Sequence, residues 1–131
     1  MPHGAAAEEA PAAGIAAAAP GSRIGDIGAT VGRVVGAAGC GAPTDVGGHG
    51  VGRRMHQDPH VPNRAGRAGR GLPLRHGLAL AIEPMLLSGG RDCHRTGSGG
   101  WTLRTVDGSR AAHAEHTVAV ADAGPRVLTL P

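Results

Sequence analysis

The sequence predicts a mixed α/β chain that forms one domain. One segment carries branched aliphatic residues at the spacing of a helix, and two later segments alternate side chains as strands do. A length of 131 residues allows one modest hydrophobic core. Because the chain has a single Trp, Trp101, and neither Phe nor Tyr, this core must be packed by Val, Leu, Ile and Ala.

The predicted helix spans residues 22–38, with Ser22 as a favourable N-cap and Gly39 as its end. Its apolar stripe consists of Ile24, Ile27, Val31, Val34 and Val35. A second line of residues consists of Gly25, Gly28, Gly32 and Gly36. Since glycine costs about 1 kcal/mol relative to alanine in a helix, this line predicts close packing on a neighbour. Residues 1–11 are mainly alanine and predict a poorly ordered start or the remnant of a helix.

Strands are predicted where apolar side chains alternate with small or polar ones. In the clearest of them, residues 78–85, Leu78, Leu80 and Ile82 lie on one face. The opposite face of that strand carries Ala79, Ala81 and Glu83. Residues 63–71 are predicted to form a loop, and the further predicted strands are residues 46–51, 54–57, 101–106, 114–121 and 126–130.

Composition and charge exclude few classes of function. With 24 Gly and 10 Pro, disorder of the whole chain is the alternative to this fold. A net charge of +3, with Arg as the basic residue throughout, does not indicate DNA binding. Residues 53–75 hold six Arg and one acid. This segment forms either a positive patch or a solvated loop. No segment has the length of a membrane span, and Cys40 and Cys93 lack CxxC spacing, so a cytoplasmic protein is expected.

Two carboxylates in the predicted strands are the first candidates for chemistry. Glu83 and Glu115 share their faces with small residues, and a carboxylate buried within a strand needs a partner. A metal ion is one such partner. The alternative is that each acid simply faces water or pairs with an Arg. His49 stands among glycines that allow close approach and is a possible metal ligand. No HExxH spacing relates these three residues, so their spacing in the sequence does not decide between a metal site and acids that face water or pair with an Arg.

Three motifs, in this order, resemble those of type I methionine aminopeptidases. Residues 48–59, GHGVGRRMHQDP, are similar to the family's GHGIGRxxHExP. Residues 81–85, AIEPM, are similar to its IEPM strand, and residues 114–118, AEHTV, to its EHT strand. The resemblance covers about residues 12–130. It implies an α/β (α+β) architecture that is the C-terminal half of a pita-bread fold, in which a curved antiparallel sheet is backed by helices and residues 12–131 form the catalytic half-domain.

The resemblance also implies a two-metal hydrolase that removes the initiator methionine from nascent peptides. The implied metal ligands are His49, Glu83 and Glu115, for divalent Co, Mn, Fe or Zn. Glu83 is implied to shuttle a proton as well. The implied substrate contacts are His56, which also acts in catalysis, and the walls of the methionine pocket, Met55 and Trp101.

Two departures from the family pattern limit this expectation. Gln57 replaces the Glu that usually follows the second histidine, and no residue before Asp26 matches the two aspartate ligands of the family's first half. We therefore expect at most one weakly bound ion and no activity from this chain alone. The alternative is a catalytically dead interaction module, for instance one that binds ribosomal RNA through residues 53–75. An uncovered half-fold would also favour self-association.

Overall fold

A computed structural model describes residues 2–64 and 67–130 as two helices and nine strands. The helices are α1 (Pro2–Ala17) and α2 (Ile24–Ala37). The first five strands are β1 (Gly48–Gly50), β2 (Gln57–Val61), β3 (Ala79–Ile82), β4 (Met85–Leu87) and β5 (His94–Thr96). The remaining four are β6 (Leu103–Thr105), β7 (Ala111–His113), β8 (His116–Ala121) and β9 (Gly124–Val127).

The strands form one five-stranded antiparallel sheet and two small antiparallel pairs. The order in the large sheet is β2-β1-β3-β8-β9, and the pairs are β4-β7 and β5-β6. The helices pack on the large sheet through one core, which includes Ile27 and Val31 of α2, Leu80 and Ile82 of β3, and Val118 of β8. The predicted α/β class, with helices backing an antiparallel sheet, is confirmed.

The start of the chain, for which the sequence left open a poorly ordered start or the remnant of a helix, is helical. From residue 2 onwards it belongs to α1, and Ala6 and Ala10 are buried in the common core. A Cβ added at Gly14 would lie 2.9 Å from Cγ2 of Val31, so α1 approaches α2 closely. Alanine has the highest helix propensity, but a run of alanines shows no apolar stripe. The burial of α1 therefore left no periodic signal in the sequence.

Helix α2 has the predicted apolar stripe but a different N-terminal cap. Arg23 rather than Ser22 occupies the cap position, and the Asp26 carboxylate accepts its backbone N–H at 2.7 Å. The same carboxylate accepts the backbone N–H of Gly69 at 2.7 Å. These two hydrogen bonds hold the pKa of Asp26 below its ordinary value. The helix ends before Gly39, whose φ of 67° is the left-handed conformation typical of a C-terminal glycine.

The glycine line of α2 packs closely only in part. A Cβ at Gly25 would overlap the carbonyl oxygens of Arg67 and Arg70, so the loop after β2 lies directly on the helix there. At Gly36 a Cβ would meet nothing within 4 Å. The prediction of close packing is therefore right for the first turn of α2 and wrong for the last.

The predicted strands occur with shifted ends, and two strands were not foreseen. The strand predicted at 78–85 is divided at Glu83 and Pro84 into β3 and β4, and the strand predicted at 54–57 lies at Gln57–Val61. Strands β5 and β7, of three residues each, were not predicted. Residues 65 and 66 of the predicted 63–71 loop lie outside the described residues.

The arginine-rich segment is largely exposed. Arg64 forms an ion pair with Asp92 at 2.7 Å. The other five arginines of the segment are exposed and form no ion pair among the described residues; they are Arg53, Arg54, Arg67, Arg70 and Arg75. Neither described helix combines the length and the apolar character that crossing a membrane requires.

Candidate metal centre

The sheet register places three predicted ligand positions on one face. His49 lies directly opposite Ala81, and Ala81 lies directly opposite Thr117. Glu83 follows Ala81 by two residues, and Glu115 precedes Thr117 by two. Because residues two apart in a strand point to the same side, all three side chains extend from the same face of β1, β3 and β8.

These three side chains meet in space. His49, Glu83 and Glu115 each offer one ligand atom, and those atoms lie within 4.8 Å of one another. Nε2 of His49 lies 3.9 Å from Oε1 of Glu115. The side chains of His49 and Glu83 are 12% and 14% exposed, while that of Glu115 is 43% exposed. The cluster therefore lies at the bottom of an open depression with Glu115 towards solvent.

The backbone orients the His49 ring for metal binding. Its Nδ1 lies 2.9 Å from the carbonyl oxygen of Gly50. A carbonyl only accepts, so Nδ1 carries the hydrogen and donates it. Nε2 is then left with its lone pair on the side of Glu115, which is the arrangement found for histidine ligands of metals.

Glu83 is held at both of its ends. Nδ2 of the buried Asn63 donates a hydrogen bond to the backbone carbonyl of Glu83 at 2.7 Å. At the carboxylate, Nε2 of His113 lies 3.1 Å from Oε1. Burial, followed by the negative charge of Glu115, raises the pKa of Glu83 above its ordinary value.

This donor set fits a divalent cation. Two carboxylates placed close enough for one to raise the pKa of the other make a site with excess negative charge, which a cation would offset. One imidazole and two carboxylates suit Mn, Fe, Co or Zn. The alternative in which Glu83 faces water or pairs with an Arg does not hold, since its carboxylate is mostly buried and contacts a histidine.

The predicted substrate residues lie at different distances from the cluster. The rings of His56 and His49 have centroids 4.4 Å apart, and both line an open cavity of about 780 Å³ together with Glu83 and Trp101. Trp101 is 91% exposed at the rim of this cavity. Met55 is 74% exposed and is not among the residues that line either cavity beside the cluster.

A second, more apolar cavity of about 390 Å³ opens beside Glu83. Glu83 and His113 lie among its polar lining residues, and its apolar lining residues include Met85, Leu87, Trp101 and Leu103. This space can accept an aliphatic or thioether side chain next to the cluster.

His94, a lining residue of the same cavity, has an unusual environment. Its side chain is 9% exposed, and its Nε2 lies 3.1 Å from each carboxylate oxygen of Asp45. Its Nδ1 is buried and has no hydrogen-bond partner among the described residues. The pair joins β5 to the segment that leads into β1, and so connects the hairpin that carries Trp101 with the strand that carries His49.

Sequence reasoning missed Asn63, His94 and His113. For His113 a signal existed, because it precedes Glu115 by two residues and shares its face in an extended chain. For Asn63 and His94 none existed, since their partners, Glu83 and Asp45, are brought to them only by strand pairing.

Comparison with known proteins gives one consistent group of relatives. The model of metallopeptidase family M24 matches residues 5–122. A methionine aminopeptidase of Clostridium acetobutylicum is 49% identical over 117 residues, covering 89% of this chain and 46% of the relative. Methionine aminopeptidase 1 of Mycobacterium tuberculosis is 47% identical over 131 residues, covering 95% of this chain and 48% of the relative.

A solved structure agrees with these relatives. The crystal structure of a methionine aminopeptidase from Thermotoga maritima superimposes with a TM-score of 0.91 at 40% identity, covering 97% of this chain and 50% of that one. The chain therefore spans about half the length of the proteins it matches.

Proposed function

Because the chain belongs to metallopeptidase family M24, we propose that it forms one half of the catalytic domain of a methionine aminopeptidase, which removes the N-terminal methionine from nascent proteins. The names of its relatives and the high TM-score support this proposal. The observation that carries it is the convergence within 4.8 Å of His49, Glu83 and Glu115, which lie on or directly beside three strands that are far apart in the sequence. We further propose a cytoplasmic location, where nascent peptides emerge.

His49, Glu83 and Glu115 would hold the divalent ion, which we propose to be Mn, Fe, Co or Zn. When bound, such an ion lowers the pKa of water and polarises a peptide carbonyl, so that hydrolysis needs no covalent enzyme intermediate.

The chain's own residues supply the other parts of the proposed reaction. The Glu83 carboxylate, whose pKa is raised, accepts and returns a proton. His56, whose ring lies against that of His49, is placed to donate a hydrogen bond to the substrate peptide. The cavity beside Met85 and Trp101 takes the methionine side chain, because a thioether packs well against an aromatic ring. Met55, which is exposed, would contact substrate only if the other half of the domain folds over it.

The proposed site is incomplete within this chain. The family resemblance implies two aspartate ligands and one further substrate histidine from the other half of the domain, and the described residues provide three ligands. Because only three of the five implied ligands are present, we propose that the chain alone binds at most one ion weakly and does not hydrolyse peptides. Exposed apolar residues, including Trp101, Leu128 and Leu130, would then be available for contact with the other half of the domain or for self-association.

Two measurements on the isolated chain test this proposal. Isothermal titration with Mn²⁺ should reveal one weak site that is lost in Glu115→Gln and retained in Glu8→Gln, which changes an exposed carboxylate on α1. An assay with a Met-Ala peptide and added Mn²⁺ or Co²⁺ should give no turnover. Turnover that disappears in Glu83→Gln would contradict the proposed inactivity, and a chain that binds no Mn²⁺ would contradict the metal centre.

A second candidate function is a catalytically dead module that binds RNA of the ribosome. The observation that favours it is the group of exposed arginines at residues 53, 54, 67, 70 and 75. Binding to a ribosomal RNA fragment that weakens steeply with salt, and weakens further when Arg67 and Arg70 are changed to Gln, would support it. Binding that is equally tight in the variant would exclude this loop as the contact.

A further inference from the structure

His113 is a histidine outside the three candidate ligands that contacts one of them. Its Nε2 lies 3.1 Å from Oε1 of Glu83. The resemblance that identifies His49 and Glu83 assigns no role to this position. His113 is 52% exposed, whereas Glu83 is 14% exposed, so the imidazole lies between a buried carboxylate and solvent.

The fold holds His113 independently of the large sheet. His113 is the last residue of β7, which pairs with β4, and it lies directly opposite Met85. Glu83 stands two residues before Met85, between β3 of the large sheet and β4 of the small one. The backbone of Glu83 is fixed by Asn63, which follows β2, and its carboxylate is contacted from β7. Two separate elements thus determine where this carboxylate can point.

The distance between His113 and Glu83 is within the reach of a hydrogen bond. An imidazole with its hydrogen on Nε2, whether neutral or protonated, can donate to a carboxylate oxygen 3.1 Å away. A carboxylate offers about four lone-pair positions. A contact from His113 at one carboxylate oxygen therefore leaves acceptor positions on Glu83 for an ion shared with His49 and Glu115.

We propose that His113 is a positioning residue of the metal centre, which donates from Nε2 to Glu83 and so holds the carboxylate in its ion-binding orientation. The inference rests on the proposed function, because it presumes that Glu83 is a ligand. Hydrogen-bond partners of ligands typically change metal affinity 10- to 100-fold when they are removed. Removal of an exposed imidazole that did not orient a ligand would change the metal affinity by much less.

The test compares three variants of the chain for binding of Mn²⁺ and Co²⁺. His113→Leu removes the donor at similar volume, and His113→Gln keeps an N–H donor on a side chain of similar reach. His76→Leu is the matched control, since His76 is an exposed histidine that lies 3.0 Å from the carboxylate of Asp122, in a contact separate from the cluster. Circular dichroism and the emission of the single Trp, Trp101, check that each variant is folded.

We expect His113→Leu to weaken Mn²⁺ binding about 10- to 100-fold, with a changed visible spectrum of bound Co²⁺. His113→Gln and His76→Leu should bind as the original chain does. Equal weakening in His113→Leu and His113→Gln would overturn the donor role, and unchanged binding in His113→Leu would overturn the inference while leaving the metal centre intact. If the original chain binds neither ion, the proposed metal centre and this inference both fall.

Discussion

The side chain of Asn63 donates a hydrogen bond to the backbone carbonyl of Glu83 at 2.7 Å, although the two residues lie 20 positions apart in the sequence. Asn63 is 2% exposed, so this amide is a buried polar group with a defined partner. The bond joins the end of β2 to the point where the chain leaves β3 for β4. It therefore fixes the backbone of a candidate ligand from outside its own strand.

Replacing Asn63 by Leu should destabilise the chain by about 1–3 kcal/mol, because the carbonyl of Glu83 loses its buried donor. Urea unfolding followed by circular dichroism measures this change. Gln57→Leu is the control, since Gln57 is exposed and its side-chain oxygen accepts a longer hydrogen bond of 3.3 Å from the Arg54 backbone. Equal losses of unfolding free energy in the two variants would show that the buried Asn63 bond stabilises the chain no more than the exposed Gln57 bond does.

The raised pKa of Glu83 predicts a specific pH dependence of stability. Since the folded state binds this proton more tightly than the unfolded state, the stabilising contribution is complete below the ordinary pKa of 4.5 and is lost as pH rises through the raised value. Glu83→Gln removes this dependence. The variant should therefore gain stability relative to the original chain as pH rises above 4.5, as measured by urea unfolding without metal.

The same experiment with Glu115→Gln separates the two causes of the shift. Removal of the neighbouring negative charge should bring the pKa of Glu83 closer to its ordinary value, and the remaining shift reflects burial. Carbon NMR of the glutamate carboxyl groups follows this change directly. A Glu83 titration that is identical in both proteins would contradict the coupling between the two acids.

Two glycines of α2 should respond in opposite directions to the same substitution. Gly36→Ala should stabilise the chain by about 0.5–1 kcal/mol, because a Cβ there meets nothing within 4 Å and glycine costs helix stability. Gly25→Ala should destabilise it by about 1–3 kcal/mol, because the new methyl group overlaps the carbonyl oxygens of Arg67 and Arg70. Thermal or urea unfolding measures the change in stability of each variant. Changes of the same sign in both variants would contradict the close packing described for the first turn of α2.

The pair of His94 and Asp45 should be sensitive to loss of the carboxylate. Asp45→Ala would leave the buried His94 ring without the partner of its Nε2, at a cost of about 1–3 kcal/mol. Because Trp101 is the single Trp and lies on the same hairpin, its fluorescence should shift in this variant. Asp122→Ala is the control, since its partner His76 is exposed. A similar loss of stability in Asp122→Ala would show that the burial of His94 is not the reason for the effect of Asp45→Ala.

Local spacing predicted much of the fold, and the motifs predicted the candidate ligands. The stripe from Ile24 to Val35 is buried as expected, and β3 and β8 lie where alternation indicated. The burial of α1 left no stripe in the sequence, because alanine packs without displaying one. The cap at Arg23 was missed because Ser22 is the residue type that N-caps favour.

The sequence by itself determined the helix and strand periodicities and the identity of the acids and the imidazole, because these depend on residues a few positions apart. Only the tertiary structure decided that His113 and Asn63 contact Glu83, and that Asp45 contacts His94. Such contacts join residues 20 to 49 positions apart. They depend on the order and register in which strands pair, and no local pattern of side chains encodes that order.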